Sequence, residues 1–174
     1  MSSLQGCQRE NQGKYYYSKM MGVAEDPALR QNLKDFFESY VFKQLNMSNF
    51  TMDTFANQDD AWSKYNAVEN TPYCAGFTLK TFDTAKDEYE VQFHFDKSKI
   101  PDTNLPAYNP LILAPDLLNW GLWFSSGAVS SFPYLTEFIA RAKMNHPMTD
   151  PEPLFNQTLG FAPMQSVQFE DISP

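Results

Sequence analysis

The chain has 174 residues, 43% of them hydrophobic and 16% aromatic, and 13 Lys and Arg against 21 Asp and Glu leave a net charge of −8. That length and apolar content suit one domain with its own core, while the acidic balance excludes a nucleic-acid partner and a polybasic membrane-surface protein. Two cysteines are too few for a disulfide-dense scaffold or a four-cysteine zinc module.

Residues 1–24 are polar, with a Tyr15-Tyr16-Tyr17 cluster and no clear period, and read as a loosely structured N-terminal arm. Residues 25–174 read as a single α+β domain, a small antiparallel or mixed sheet with about three amphipathic helices packed on it. Asp26 as N-cap and Pro27 at the first helical position open a helix. Its apolar stripe is Leu29, Leu33, Phe36, Phe37, Tyr40, Val41 and Leu45, three or four apart. Asn57 to Tyr65 predicts a second, short helix with Asp59 and Asp60 in its first turn. The period then changes. Tyr73 to Thr81 reads as a strand, and Tyr89, Val91, Phe93 and Phe95 alternate with Glu90, Gln92 and His94, the first set facing the core and the second solvent. The polar turn Asp83 to Asp87 makes the two strands an antiparallel hairpin. Lys97 to Pro115, with four prolines, reads as an extended connection. Phe132 to Met144 predicts a third helix, capped by Ser130 or Ser131 and ended by His146-Pro147; residues 155–164 offer one more strand.

Little in this pattern points to catalysis. His94 and His146 lack a Cys, Asp or Glu at ligand spacing on the same element, and the adjacent acids Asp59-Asp60 and Asp87-Glu88 read as solvated charge. No nucleophile elbow, phosphate loop or dinucleotide fingerprint occurs, so no catalytic residue, metal ligand or cofactor is assigned. Three sequons place candidate glycans at Asn46, Asn49 and Asn156. Cys7 and Cys74 have two readings, one bridge in an oxidising compartment or a buried thiol and an unpaired one. The run from Leu117 to Phe124, with Leu118, Trp120 and Trp123, also has two, a core element or an apolar surface for lipid or a partner. No stretch has the length of a spanning helix, and the polar start lacks the apolar middle of a secretory signal. Sequons without a signal suggest a piece lying between two membrane segments.

A succession of short motifs carries a family resemblance. Phe55-Ala56-Asn57-Gln58-Asp59-Asp60-Ala61-Trp62-Ser63-Lys64-Tyr65, then Ala75-Gly76-Phe77 and Tyr89-Glu90-Val91-Gln92-Phe93, resemble a helix and hairpin of A-subfamily (ABCA-type) ABC transporters. Ser125-Ser126-Gly127 and Phe132 to Ala142 are similar to the segment that closes that family's first extracellular domain, ahead of the second membrane helix. Ala162-Pro163-Met164 with Glu170-Asp171 is similar to its exit. Ser131, Thr136 and Ala140 depart from the pattern. The resemblance implies a non-catalytic extracellular or luminal domain of a multi-pass lipid exporter, with ATP hydrolysis in a nucleotide-binding domain outside this chain. Its implied partners are the rest of the transporter, a second extracellular domain, and a lipid or lipid acceptor. The rival expectation is a stand-alone protein- or ligand-binding domain without a transport role; a small hydrolase using His94 or His146 is a third.

Overall fold

Lys19–Val23 (β1), inside the stretch read as a loose arm, is the inner strand on which the sheet is built. The computed structural model describes residues 18–67, 73–95 and 128–155, with backbone alone at 95 and 128–132 and in four two-residue strands at 10–11, 14–15, 108–109 and 114–115. Met20 and Met21 are both buried because β1 is covered on both faces, and such a strand shows no polar alternation. Its neighbours are Thr51–Phe55 (β2) and Tyr73–Asp83 (β3), both parallel to it, and Glu88–Phe95 (β4) pairs antiparallel with β3. The order β2-β1-β3-β4 makes a four-stranded mixed sheet, so the fold is α+β as expected, with a parallel half that the periodicity did not disclose.

Helices connect the parallel strands. The first runs from Pro27–Phe36 through a π-helical Phe37–Val41 to Phe42–Gln44 (together α1), and Asp26 caps it by accepting the N–H groups of Ala28 and Leu29. It ends where Asn46 takes a positive φ of 55°, with Met47 N–H bonded to the Phe42 carbonyl and Asn46 N–H to that of Lys43. This double closure satisfies terminal carbonyls and seats Met47 beside Phe42 in the core. Gln58–Asn66 (α2) is capped by Asn57, whose side chain accepts from Asp60 N–H. Ala128–Lys143 (α3) begins before the expected Phe132, so Ser130 and Ser131 lie inside it and not at its N-cap position. It closes as α1 does, on an asparagine at positive φ, Asn145, with His146 N–H on the Arg141 carbonyl.

The two faces of the sheet are covered differently. The helices α1 and α3 bury Leu33, Phe36, Phe37, Tyr40, Leu135 and Phe138 against Met20, Met52, Ala75, Phe77 and Leu79. The opposite face receives α2, where Ala61 packs with Met21, Val23 and Tyr73. A Cβ at Gly76 would lie 3.0 Å from Met21 Cβ and 3.1 Å from the Met21 carbonyl oxygen, so the close approach of β3 to β1 needs glycine there. The expected strand at 155–164 lies almost wholly outside the described residues, as does most of the connection from Lys97 to Pro115.

Candidate functional site

Glu137 and Arg141 sit four apart on α3 and share one side of it, turned toward α1 and away from solvent. Arg141 is 0% exposed and Glu137 4%. Arg141 Nε and Nη2 donate to Glu137 Oε1 at 3.1 and 2.9 Å, Nη1 donates to the carbonyls of Pro147 and Asp150, and Nη2 also to that of Glu152. A guanidinium has five N–H groups, and this pattern occupies all of them. Glu137 in turn accepts from Leu154 N–H and from the Tyr40 hydroxyl at 2.9 Å, while the guanidinium carbon lies 4.1 Å from the centre of the Tyr40 ring. Burial and the Glu137 carboxylate push the Tyr40 phenol up to about 12. With every donor satisfied, the cluster is a fastening that ties segment 147–154 to α3 and α1.

That fastened segment forms one wall of a groove of about 660 Å³. Asp26, Leu29, Asn32 and Asp35 of α1 make the other wall, Phe82 and Thr84 close the end nearest the β-hairpin, and Asn145 to Thr149 stand opposite. Its place follows from the topology. From β1 the chain leaves through α1 to β2 on one side, then returns through α2 to β3 on the other. The groove starts near the carboxyl ends of β1 and β3, at Asp26 and Phe82, and runs along α1 as far as Asp35.

A second polar centre lies on the α2 face. Asp53 accepts the Tyr73 hydroxyl at 2.6 Å and the Lys19 ammonium at 2.9 Å, joining the first three strands. Burial opposes ionisation of Asp53, but the hydrogen bonds from Tyr73 and Lys19 outweigh it and hold the carboxyl below its usual range. Beside this centre, Met21, Trp62, Tyr65 and His94 border a cavity of about 30 Å³, room for little more than one water.

His94 corrects the expectation of a solvent-facing histidine. Because α2 covers that face, its ring is half-buried, Nε2 lies 2.8 Å from Thr78 Oγ1, and the Trp62 ring meets it edge-on at 5.4 Å. Burial and then the Lys80 charge lower its pKa from the ordinary 6.5. The sign is fixed by linkage. As pH falls below 6.5 the unfolded chain takes the proton first, so His94 costs stability until pH reaches its depressed folded value. Urea midpoints of the parent should fall across this window relative to His94→Gln, which carries no titrating ring; parallel curves would remove His94 as the cause.

The other expected residues fall as follows. Asn46 and Asn49 are exposed in the turn between α1 and β2, while Asn156 lies outside the described residues. Cys74 is buried in the main core and disulfide-bonded; the only other cysteine of the chain, Cys7, lies outside the described residues. Leu117, Leu118, Trp120, Trp123 and Phe124 lie outside them too. Asp59 and Asp60 are exposed at the start of α2, and Asp87 and Glu88 are exposed at the hairpin turn, where Asp87 pairs with Lys143. His146 lies 3.5 Å from Asp150 on the groove wall. Among the described residues no group of three His, Cys, Asp or Glu is placed to hold a metal ion, and no helix is long and apolar enough to cross a membrane. Glu137 four residues before Arg141 is the sequence signal of this buried pair. Compared with protein families, curated proteins and solved structures, the chain matches none.

Proposed function

We propose that this chain is a non-catalytic binding module on the exoplasmic side of a membrane, as the extracellular domain of an ABCA-type lipid transporter. The observation that carries this reading is the disulfide at Cys74, a bond that persists in secretory and extracellular compartments and is rare in the cytosol. With two cysteines in the chain, Cys7 is its intrachain partner in this proposal. Exposure of Asn46 and Asn49 supports the same compartment, since glycans there leave the core undisturbed. The motifs that resemble the transporter family also fall on successive elements of one body. Phe55 to Tyr65 spans the end of β2 and α2, Ala75 to Phe77 lies in β3, Tyr89 to Phe93 in β4, and Phe132 to Ala142 in α3.

In this reading the domain supports lipid export or transfer, with the membrane helices, a second extracellular domain and a lipid or lipid acceptor as partners. Leu117 to Phe124 is proposed as the apolar contact on its sequence alone. The groove favours a second reading, an independent protein- or ligand-binding domain without a transport role, because a concave site needs no membrane part to act. The gene separates them. A reading frame that continues on both sides into apolar segments of about 20 residues supports the transporter. A frame that starts at Met1 and stops after Pro174 supports the independent domain.

A further inference from the structure

We propose that α2 is a pH-released latch on the sheet, freed when the His94 imidazole beneath it becomes protonated. The inference goes beyond the proposed module and holds whichever compartment or partner the chain has.

The length of α2 makes it dependent on what lies under it. Nine residues are too few for a helix to hold itself in water, so Gln58–Asn66 is kept by its Asn57 cap and its seat on the sheet. That seat is narrow. Ala61 is the one buried residue of α2, Trp62 and Tyr65 are half-buried, and Asp59, Asp60, Ser63, Lys64 and Asn66 are exposed. Beneath the helix lie Met21 and Val23 of β1, Tyr73 of β3 and His94 of β4.

His94 is the side chain of this seat whose charge changes between pH 5 and 8. Its ring sits between β3 and α2, with Nε2 2.8 Å from Thr78 Oγ1 and the Trp62 ring centre 5.4 Å away at 77° between the planes. Protonation turns both ring nitrogens into donors, and Thr78 can accept from only one of them. Among the described residues the ring makes no other hydrogen bond and joins no ion pair.

The surrounding elements supply no counter-charge. On β3, Lys80 adds a positive charge, Cys74 is disulfide-bonded, and the Tyr73 hydroxyl donates to Asp53 of β2, which also holds Lys19 of β1. On α2, Tyr65 lines the cavity beside His94, while Asp59, Asp60 and Lys64 are exposed, as is Glu90 on β4. The cavity itself, about 30 Å³, admits little more than one water and cannot rehydrate a cation.

Release of α2 returns His94 to water and to its ordinary 6.5, whereas burial and then Lys80 hold the seated ring lower. As pH falls below 6.5 the released form takes the proton and the seated form does not, so release gains ground until pH reaches the depressed value of the seated ring. Release also spares the main core, because α1 and α3 pack on the other face of the sheet. It bares Met21, Val23 and Tyr73, an apolar surface offered only in acid.

Hydrogen exchange of the full chain at pH 7.5 and 5.0, expressed as protection factors, tests the latch. Protection in peptides covering α2 is expected to fall by at least about threefold at pH 5.0, while α1 and α3 keep theirs. His94→Gln should abolish the α2 loss. Lys80→Gln keeps the ring but removes the opposing charge, so it should lose less protection than the parent; it also serves if His94→Gln fails to fold. An unchanged α2, or an equal loss in all three helices, would overturn the proposal. So would a parent-sized loss in His94→Gln or in Lys80→Gln.

Discussion

Arg141→Met is expected to lower the free energy of unfolding by about 3–5 kcal/mol, because it leaves a buried carboxylate without its counter-charge. The change also strips partners from the carbonyls of Pro147, Asp150 and Glu152. Methionine restores much of the packing over Phe36 and Tyr40, so the loss isolates polar satisfaction from volume. Urea denaturation measures it. Hydrogen exchange at Leu154, whose N–H donates to Glu137, should speed up in the same variant. The contrast is Lys143→Met, which breaks an ion pair with Asp87 that is about half exposed and should cost no more than about 1 kcal/mol. Similar losses in the two variants would show that the buried cluster is not the fastening described.

The second large effect belongs to Phe77→Ala, expected at about 3–5 kcal/mol. Phe77 is fully buried in β3, with its ring 5.2 Å from that of Phe37 on α1 and 5.8 Å from that of Phe93 on β4, so its loss opens a cavity where helix and hairpin meet. Phe77→Leu retains most of the apolar volume and should cost clearly less. Phe77 and Arg141 share no ring, ion-pair or hydrogen-bond partner, so the double variant should lose the sum within about 0.5 kcal/mol. A much smaller sum would mean the two regions unfold as separate units.

What the amino-acid order disclosed depended on how each element is covered. The first helix was legible because Asp26 and Pro27 mark its start and its apolar residues keep helical spacing over four turns. The hairpin was legible because β4 has one apolar face. In contrast, Lys-Met-Met-Gly-Val of β1 is covered on both faces, and five residues without alternation look like any short apolar run. Thr51–Phe55 was hidden because nothing local shows that Asp53 would be matched by Lys19 and Tyr73. Missing these two strands meant missing the parallel half of the sheet. The candidate site was less legible than the fold. Asp26 was recognised as a cap, but its place in the groove wall depends on the return of segment 147–154, which local periodicity does not encode.

The asparagines of the first two sequons also separate on structural grounds. Asn46 occupies the positive-φ position that closes α1, and Asn145 does the same for α3 without belonging to a sequon. Helix closure alone accounts for asparagine at Asn46, whereas Asn49 has no such backbone requirement. A variant at Asn46 is best made as Asn46→Gly, which keeps the left-handed conformation, so that loss of a glycan is not confused with loss of the helix end.

The central claim, a disulfide-bonded module on the exoplasmic side of a membrane, is tested most directly by expressing the chain through a eukaryotic secretory route and mapping its modifications by mass spectrometry before and after glycan removal. The account predicts a glycan on Asn49 that Asn49→Gln abolishes, together with a Cys7–Cys74 bond that shields both cysteines from alkylation until a reductant is added. A secreted, folded chain with unmodified sequons and two freely alkylated thiols would contradict it.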